Sequence, residues 1–178
     1  MVRPGSETRQ RIQDVARDLF ARQGVQRTSL QDIADKLGIT KPALYYHFSS
    51  REDLVRSIVQ PLIDEGEQFV VHQETRGDVG ARELLEGYFD FHYRHRQDLM
   101  LVLAELTMLV DLGLIDTVLA WRERLGKLIF GPKPTLAQAA RAVIVFGGLQ
   151  DCCLQFPDAP VDELRAVSVA GALAALEM

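Results

Sequence analysis

Apolar side chains recur at intervals of three and four through nearly every segment of this 178-residue chain, which confines it to helices. Ile12, Val15, Ala16, Leu19 and Phe20 share one face of a first helix that ends near Gly24, a residue able to take the left-handed C-cap conformation. Leu30, Ile33, Ala34 and Leu37 line a short second helix closed by Gly38. Its start is marked twice, by Thr28 with Gln31 and by Ser29 with Asp32; either pair can form a capping box. A third helix is expected after Thr40, with Pro42 in its first turn, where a missing N–H is harmless, and it runs to about His47 or Phe48. Ser49 with Glu52 and Ser50 with Asp53 then cap a long fourth helix reaching about His72 and bent at Pro61. Further helices are expected at about 80–95, 97–110, 113–129, 135–155 (capped by Thr135 with Gln138) and 160–176. Loops fall at 75–80, 131–134 and 156–160. No stretch keeps the two-residue alternation of a half-buried strand, so the fold class is all-α.

Composition excludes several classes. With 47% hydrophobic and 25% charged residues, the chain is ordinary globular protein rather than a disordered tail or a collagen-like rod. No apolar run approaches the ~20 residues that cross a bilayer; the longest, Ala139 to Phe146, is broken by Arg141. The first eleven residues hold no apolar stretch of the signal-peptide kind. Cys152 and Cys153 are adjacent and cannot staple a secreted fold. A soluble, cytoplasmic protein with no membrane partner is therefore expected. The net charge of −5 argues at first against nucleic acid, but it is unevenly placed. Residues 1–56 hold ten Lys/Arg against seven Asp/Glu, a balance of +3, and residues 57–178 hold ten against eighteen, −8. A basic head on an acidic body suits a polyanion at one end only.

The segment from Thr28 to Phe48 gives that head a chemistry. Two short helices joined through Leu37, Gly38, Ile39 and Thr40 make a helix-turn-helix candidate. Ala34 is small where the helices must cross closely, and Gly38 suits a sharp turn with positive φ. Ile33, Leu37, Ile39 and Leu44 point inward and wedge the third helix away from the body, so that it can enter a major groove. Thr40 and Lys41 open that helix, and Lys41 can reach guanine or a phosphate. Ala43 offers a methyl to thymine, or simply clearance. Tyr45 and Tyr46 carry hydroxyls suited to phosphate oxygens, His47 and Arg51 extend the basic rim, and Gln31 can read an adenine edge. Simpler roles stay open: Thr28 and Thr40 as caps, Tyr45 as half core, His47 and Gln31 as solvated surface.

These residues also carry a resemblance. Thr28-Ser-Leu-Gln-Asp-Ile-Ala34, Leu37-Gly-Ile-Thr-Lys-Pro-Ala-Leu-Tyr-Tyr-His-Phe48 and Arg51-Glu-Asp-Leu54 resemble the TetR family of bacterial transcriptional regulators, over about Thr8 to Val59. The resemblance implies a three-helix DNA-binding domain over about 1–50 and a helical ligand-binding and dimerisation domain over 51–178. It implies DNA contacts from Thr28, Gln31, Thr40, Lys41, Tyr45, Tyr46, His47 and Arg51. It also implies a homodimer on a palindromic operator, most often a repressor, answering to a small molecule whose identity the sequence does not give.

The body offers candidates for both remaining tasks. Ala139, Ala140, Val143, Gly147 and Gly148 permit close helix approach. Ala166, Val169, Ala170, Leu173 and Leu176 form an apolar stripe on the last helix. Pairing these two helices with their mates in a four-helix bundle is what the resemblance implies; the alternative is that both stripes are monomer core. For an effector pocket the candidates are Phe69 and His72 in the fourth helix and Phe89, His92 and Tyr93 in the fifth. Met100, Leu103, Thr107, Met108, Trp121, Phe146 and Gln150 complete the set. No cofactor is expected. An alternative of another class is a helical-bundle metal protein or enzyme with a vestigial head. His92 and His95 share a helical face and could hold a metal, but the Glu-x-x-His pattern of di-iron bundles is absent. Cys152 and Cys153 read as buried thiols rather than a vicinal disulfide.

Overall fold

The computed structural model describes residues 4–77, 79–103 and 113–177. The described residues form nine α-helices and no strand. They are α1 (Pro4–Gln23), α2 (Leu30–Leu37), α3 (Lys41–His47), α4 (Arg51–Arg76), α5 (Ala81–Arg94), α6 (Arg96–Leu103), α7 (Leu114–Phe130), α8 (Leu136–Gln155) and α9 (Val161–Glu177). The expected helices are all present, and α4 runs on past His72 to Arg76. Of the helix expected at 97–110, the part to Leu103 is α6, and the rest lies outside the described residues.

The ends of these helices follow the local chemistry. Of the two capping boxes available to α2, the chain uses Ser29 with Asp32: Ser29 Oγ accepts from the Asp32 N–H at 3.1 Å, and the Asp32 carboxylate accepts from the Ser29 N–H at 2.8 Å. Ser50 caps α4 and Thr135 caps α8. Pro61 sits inside α4 without breaking it. A proline supplies no N–H, so the Ser57 carbonyl one turn earlier lacks its helical donor. Gln13 Nε2 of α1 donates to that carbonyl at 3.1 Å and to Ser57 Oγ at 2.9 Å. The gap in the helix becomes a tie between α1 and α4.

Two cores hold the molecule. The first gathers Ile12, Ala16 and Phe20 of α1, Leu30, Ile33 and Ala34 of α2, Leu44 of α3 and Phe48, all buried. It also takes in Leu54, Val55, Ile58 and Val59 of α4, together with Leu101 of α6 and Leu114 of α7. Fully burying a leucine or phenylalanine stabilises by roughly 1.5–3 kcal/mol, so α4 is packed into the head as firmly as α1. The second core lies between α5, α7, α8 and α9 and centres on Leu84, Phe89, Leu125, Phe146 and Leu149. α4 reaches it through Val70. At Gly66 of α4 a Cβ would overlap the Trp121 indole, so the absent side chain lets α7 lie against α4. Trp121 Nε1 donates to Glu67 at 2.7 Å, and Arg124 clasps Glu67 and Glu74 at 2.6–2.9 Å. Those hydrogen bonds, Arg124's first, hold the Glu67 carboxyl below its ordinary range.

Candidate nucleic-acid interface and effector cavity

The turn between α2 and α3 is set by Gly38, which takes φ +67° at the C-cap of α2, a left-handed conformation open to glycine at little cost. The Ile39 N–H returns to the Ala34 carbonyl at 3.1 Å. Ile33 and Leu44 are fully buried, while Leu37 and Ile39 are partly buried against the same core, as the wedge requires. α3 is therefore anchored along one side by Leu44 and Phe48 and turns its other side to water. Thr40 caps it by accepting from the Ala43 N–H at 3.3 Å.

On that open side stand Lys41, Ala43, Tyr45 and Tyr46. Tyr46 is 86% exposed and Tyr45 45%, unusual for aromatic side chains with no covering element. Lys41 Nζ lies 5.8 Å from the Tyr45 ring centre, within cation–π range. His47 is partly buried, its ring edge-on to Tyr46, and its carbonyl accepts from Arg9 Nη1 at 2.6 Å. Arg9 in turn covers the Phe48 ring at 4.1 Å, bringing a second cation beside α3. Gln31 is exposed on α2, with its amide turned to Asp35 at 2.6 Å.

Two residues of the expected set are placed otherwise. Thr28 is 1% exposed; its hydroxyl donates to the Gly24 carbonyl at 2.8 Å and accepts from Gln23 Nε2 at 3.2 Å. It fastens the end of α1 to the start of α2 rather than facing outward. Arg51 reaches back across the head, donating to the carbonyls of Val25 and Gln26 at 3.3 and 3.2 Å and to Gln26 Oε1 at 3.1 Å. Its guanidinium is occupied in joining α4 to the α1–α2 loop.

In the body a cavity of about 220 Å³ opens between α4, α5, α6, α7 and α8. Of the expected pocket residues, His92, Leu103, Trp121 and Gln150 line it. Phe89 and Phe146 are fully buried core instead, and His72 lies exposed on α4. Phe69 stacks on Phe91 rather than lining the cavity, and Tyr93 stacks on Phe89 under the Arg96 guanidinium. Met100, 53% exposed, lines a separate groove between α1 and α6. Thr107 and Met108 lie outside the described residues. The remaining walls are Leu62, Ile63, Phe91, Leu99, Leu114, Ile115, Val118, Leu119 and Arg122, none of them singled out by the sequence reading.

Polar groups meet at one side of this cavity. Arg122 Nη2 donates to Gln150 Oε1 at 2.8 Å. His92 Nδ1 lies 2.9 Å from the Tyr88 carbonyl, which can only accept, so Nδ1 carries the proton. Burial pulls the His92 pKa down to about 4, and the ring is neutral at pH 7. His95 instead pairs through Nε2 with Glu65 at 3.0 Å, so the two histidines do not converge. Among the described residues no group of three or more His, Cys, Asp or Glu side chains is placed to share a metal ion. Cys152 and Cys153 are free thiols, and burial pushes Cys153 up to about 12.

The outer face of α8 and α9 is apolar and open. Ala140, Val143, Ile144 and Gly148 of α8 and Ala166, Val167 and Ala170 of α9 are exposed, Ile144 by 66% and Val167 by 61%. Four expected interface residues belong elsewhere. Val169 is 1% exposed and Leu173 and Leu176 are half-buried, all three packed on the monomer core, and Gly147 turns toward Arg122, whose Nη1 would lie 3.6 Å from an added Cβ. Ala139 is partly buried. No helix among the described residues is long and apolar enough to cross a membrane.

Comparison with known proteins bears on the head above all. Residues 12–58 match the model of the bacterial regulatory proteins of the tetR family. The HTH-type transcriptional regulator AcrR of Shigella flexneri is 52% identical over 52 residues, covering 29% of this chain and 24% of the relative. An HTH-type transcriptional regulator of Staphylococcus aureus (strain USA300) is 39% identical over 100 residues, 55% of this chain and 52% of the relative. The repressor KstR2 of Rhodococcus jostii is 40% identical over 60 residues, covering 34% of this chain and 29% of the relative. The matches to these three relatives thus span between 24% and 52% of their length. Across the whole fold, a transcriptional regulator from Aquifex aeolicus superposes with a TM-score of 0.76 at 21% identity, covering 94% of this chain and 98% of its own. KstR2 of Mycobacterium tuberculosis superposes at 0.72 and 18% identity, covering 96% and 93%. The named relatives are regulators rather than enzymes, and the helix-turn-helix head of this chain, residues 12–58, is similar to that of the tetR family of bacterial regulatory proteins.

Proposed function

We propose that the protein is a ligand-responsive transcriptional repressor that binds a palindromic operator as a homodimer. The observation that carries this reading is α3, a short helix anchored by Leu44 and Phe48 whose outer face holds Lys41, Tyr45 and Tyr46 in water. Such a helix can enter a major groove, with Lys41 on base edges and the tyrosines, His47 and Arg9 on the flanking backbone. Thr40, Ala43 and Gln31 complete the surface that meets DNA. Thr28 and Arg51 serve it indirectly, by fixing α2 and α4 around the turn. One short helix reads too few base pairs for a specific site, and the open apolar face of α8 and α9 supplies the pairing that places two heads one helical turn apart.

The effector site in this reading is the cavity between α4 and α8. It touches the head through two elements. On α6, Leu99 and Leu103 line the cavity while Leu101 belongs to the head core. Asp98 of the same helix accepts from Arg17 of α1 at 2.8 Å. Leu114 of α7 belongs to both cavity wall and head core. A ligand that prefers one setting of α6 and α7 therefore selects one setting of the head, a population shift rather than a new contact. Selection of bound fragments from random duplex DNA tests the reading. Convergence on an inverted repeat with half-sites about one turn apart is expected; a pool that stays random contradicts it.

A further inference from the structure

Arg122 is out of place for a surface arginine. It follows Ile115, Val118 and Leu119 along the same face of α7, and all four line the cavity. Its Nη2 is held by Gln150, but its Nε is buried with no hydrogen-bond partner among the described residues. Among those residues no carboxylate forms a salt bridge with it, although Arg17, Arg124 and Arg165 each have two. Arg122 is partly buried and also meets the neutral Tyr88 hydroxyl, and a buried donor such as its Nε is costly to leave unpaired unless an acceptor meets it. The other polar groups nearby add no charge: the Gln150 amide is neutral, and so is His92 at pH 7. Every other wall residue is apolar, with the Phe91 and Trp121 rings among them.

We propose that the cavity takes a small monocarboxylate with an apolar body, its carboxylate on Arg122 and its body among Leu62, Phe91, Leu99, Leu114 and Trp121. Size narrows the class. A dry cavity of about 150 Å³ is enough for benzene, and the 220 Å³ here leaves room for a ring, or a short branched chain, bearing one carboxylate-carrying carbon. One positive charge matches one negative charge, which disfavours dicarboxylates and phosphates. Arginine suits the task because its planar fork meets both carboxylate oxygens at once. The proposal rests on the effector reading of this cavity and adds the chemistry of what enters it.

The experiment compares phenylacetate with phenylacetamide, alike in shape and different in charge, on the purified full chain. Calorimetry gives affinities, and the fluorescence of Trp121, the chain's single tryptophan, reports whether the cavity is occupied. Phenylacetate is expected to bind at least tenfold more tightly in the wild type. Arg122→Gln should erase that preference, and Arg122→Lys should keep part of it. Equal affinities in the wild type overturn the proposal without needing any variant to fold, as does a tenfold preference that survives in Arg122→Gln. Failure of phenylacetate to bind overturns the proposal and leaves the effector reading standing. Charge-selective binding that leaves DNA affinity untouched upholds the carboxylate site and contradicts the effector reading alone.

Discussion

Tyr46 is 86% exposed, with its ring roughly perpendicular to that of His47, so its removal leaves the core intact. Tyr46→Ala is expected to change stability by less than ~0.5 kcal/mol and to weaken operator binding, checked by thermal melts beside fluorescence anisotropy. Arg51→Ala should do the reverse of what a phosphate contact would do. Losing its bonds to Val25 and Gln26 should destabilise the head by about 1–3 kcal/mol, seen as a lower urea midpoint. His92 gives a pH signature. Its pKa falls from an ordinary 6.5 to about 4 on folding, so the unfolded chain takes up a proton that the folded chain refuses. Stability is therefore complete above pH 6.5 and declines as pH falls toward 4, by about 3 kcal/mol in all. Carboxylates such as Glu67 add their own loss only below pH 4.5. Melting curves between pH 7 and 4.5 should show the decline, and His92→Gln should flatten it. At this scale the inward wedge of Ile33 and Leu44 was legible because apolar spacing declares it. The burial of Thr28 was not, since a hydroxyl reads equally well as a cap or a contact until its partner, here the Gly24 carbonyl, is known. Arg122 had a signal that went unread: it stands seven residues after Ile115 and four after Val118, on an apolar stripe where a charge is out of keeping.

Among the elements, α4 is decisive because both cores share it. Its proline would leave a bare carbonyl at Ser57, and Gln13 fills that gap from α1. Gln13→Ala should cost about 1–2 kcal/mol, measured by denaturant unfolding. Gly66 sets the distance from α4 to α7. Gly66→Ala forces a methyl against the Trp121 indole and is expected to cost about 1–3 kcal/mol, with a shift in tryptophan emission, because Trp121 also lines the cavity. The N-terminal caps of α2, α3, α4 and α8 were readable from the Ser and Thr residues at their starts, whereas the end of α4 was not, since it runs on from His72 to Arg76. The inner face of α9 was not. Valines and alanines surround that helix, so periodicity admits Val167 or Val169 as the buried one, and only the packing of α5 and α8 against it decides for Val169. The cavity escaped for a related reason: five helices contribute to it, and no spacing along one helix reports what four others bring.

For the whole molecule, the proposed function needs three parts: a basic head, the open apolar face of α8 and α9, and a cavity that borders both α6 and the head core. Ile144→Asp places a charge on the open face of α8 and should leave a folded monomer, seen by sedimentation, with operator binding lost along with the pairing. Val169→Asp, by contrast, buries that charge in the core and should unfold the chain. The central claim is that α3 reads DNA from its exposed side. The most direct measurement is the affinity of wild-type protein and of Lys41→Ala for the selected operator and for versions altered one base pair at a time. The account predicts that Lys41→Ala loses about 1–3 kcal/mol and becomes indifferent to one base pair in each half-site. Unchanged affinity and unchanged preference at every position would contradict it.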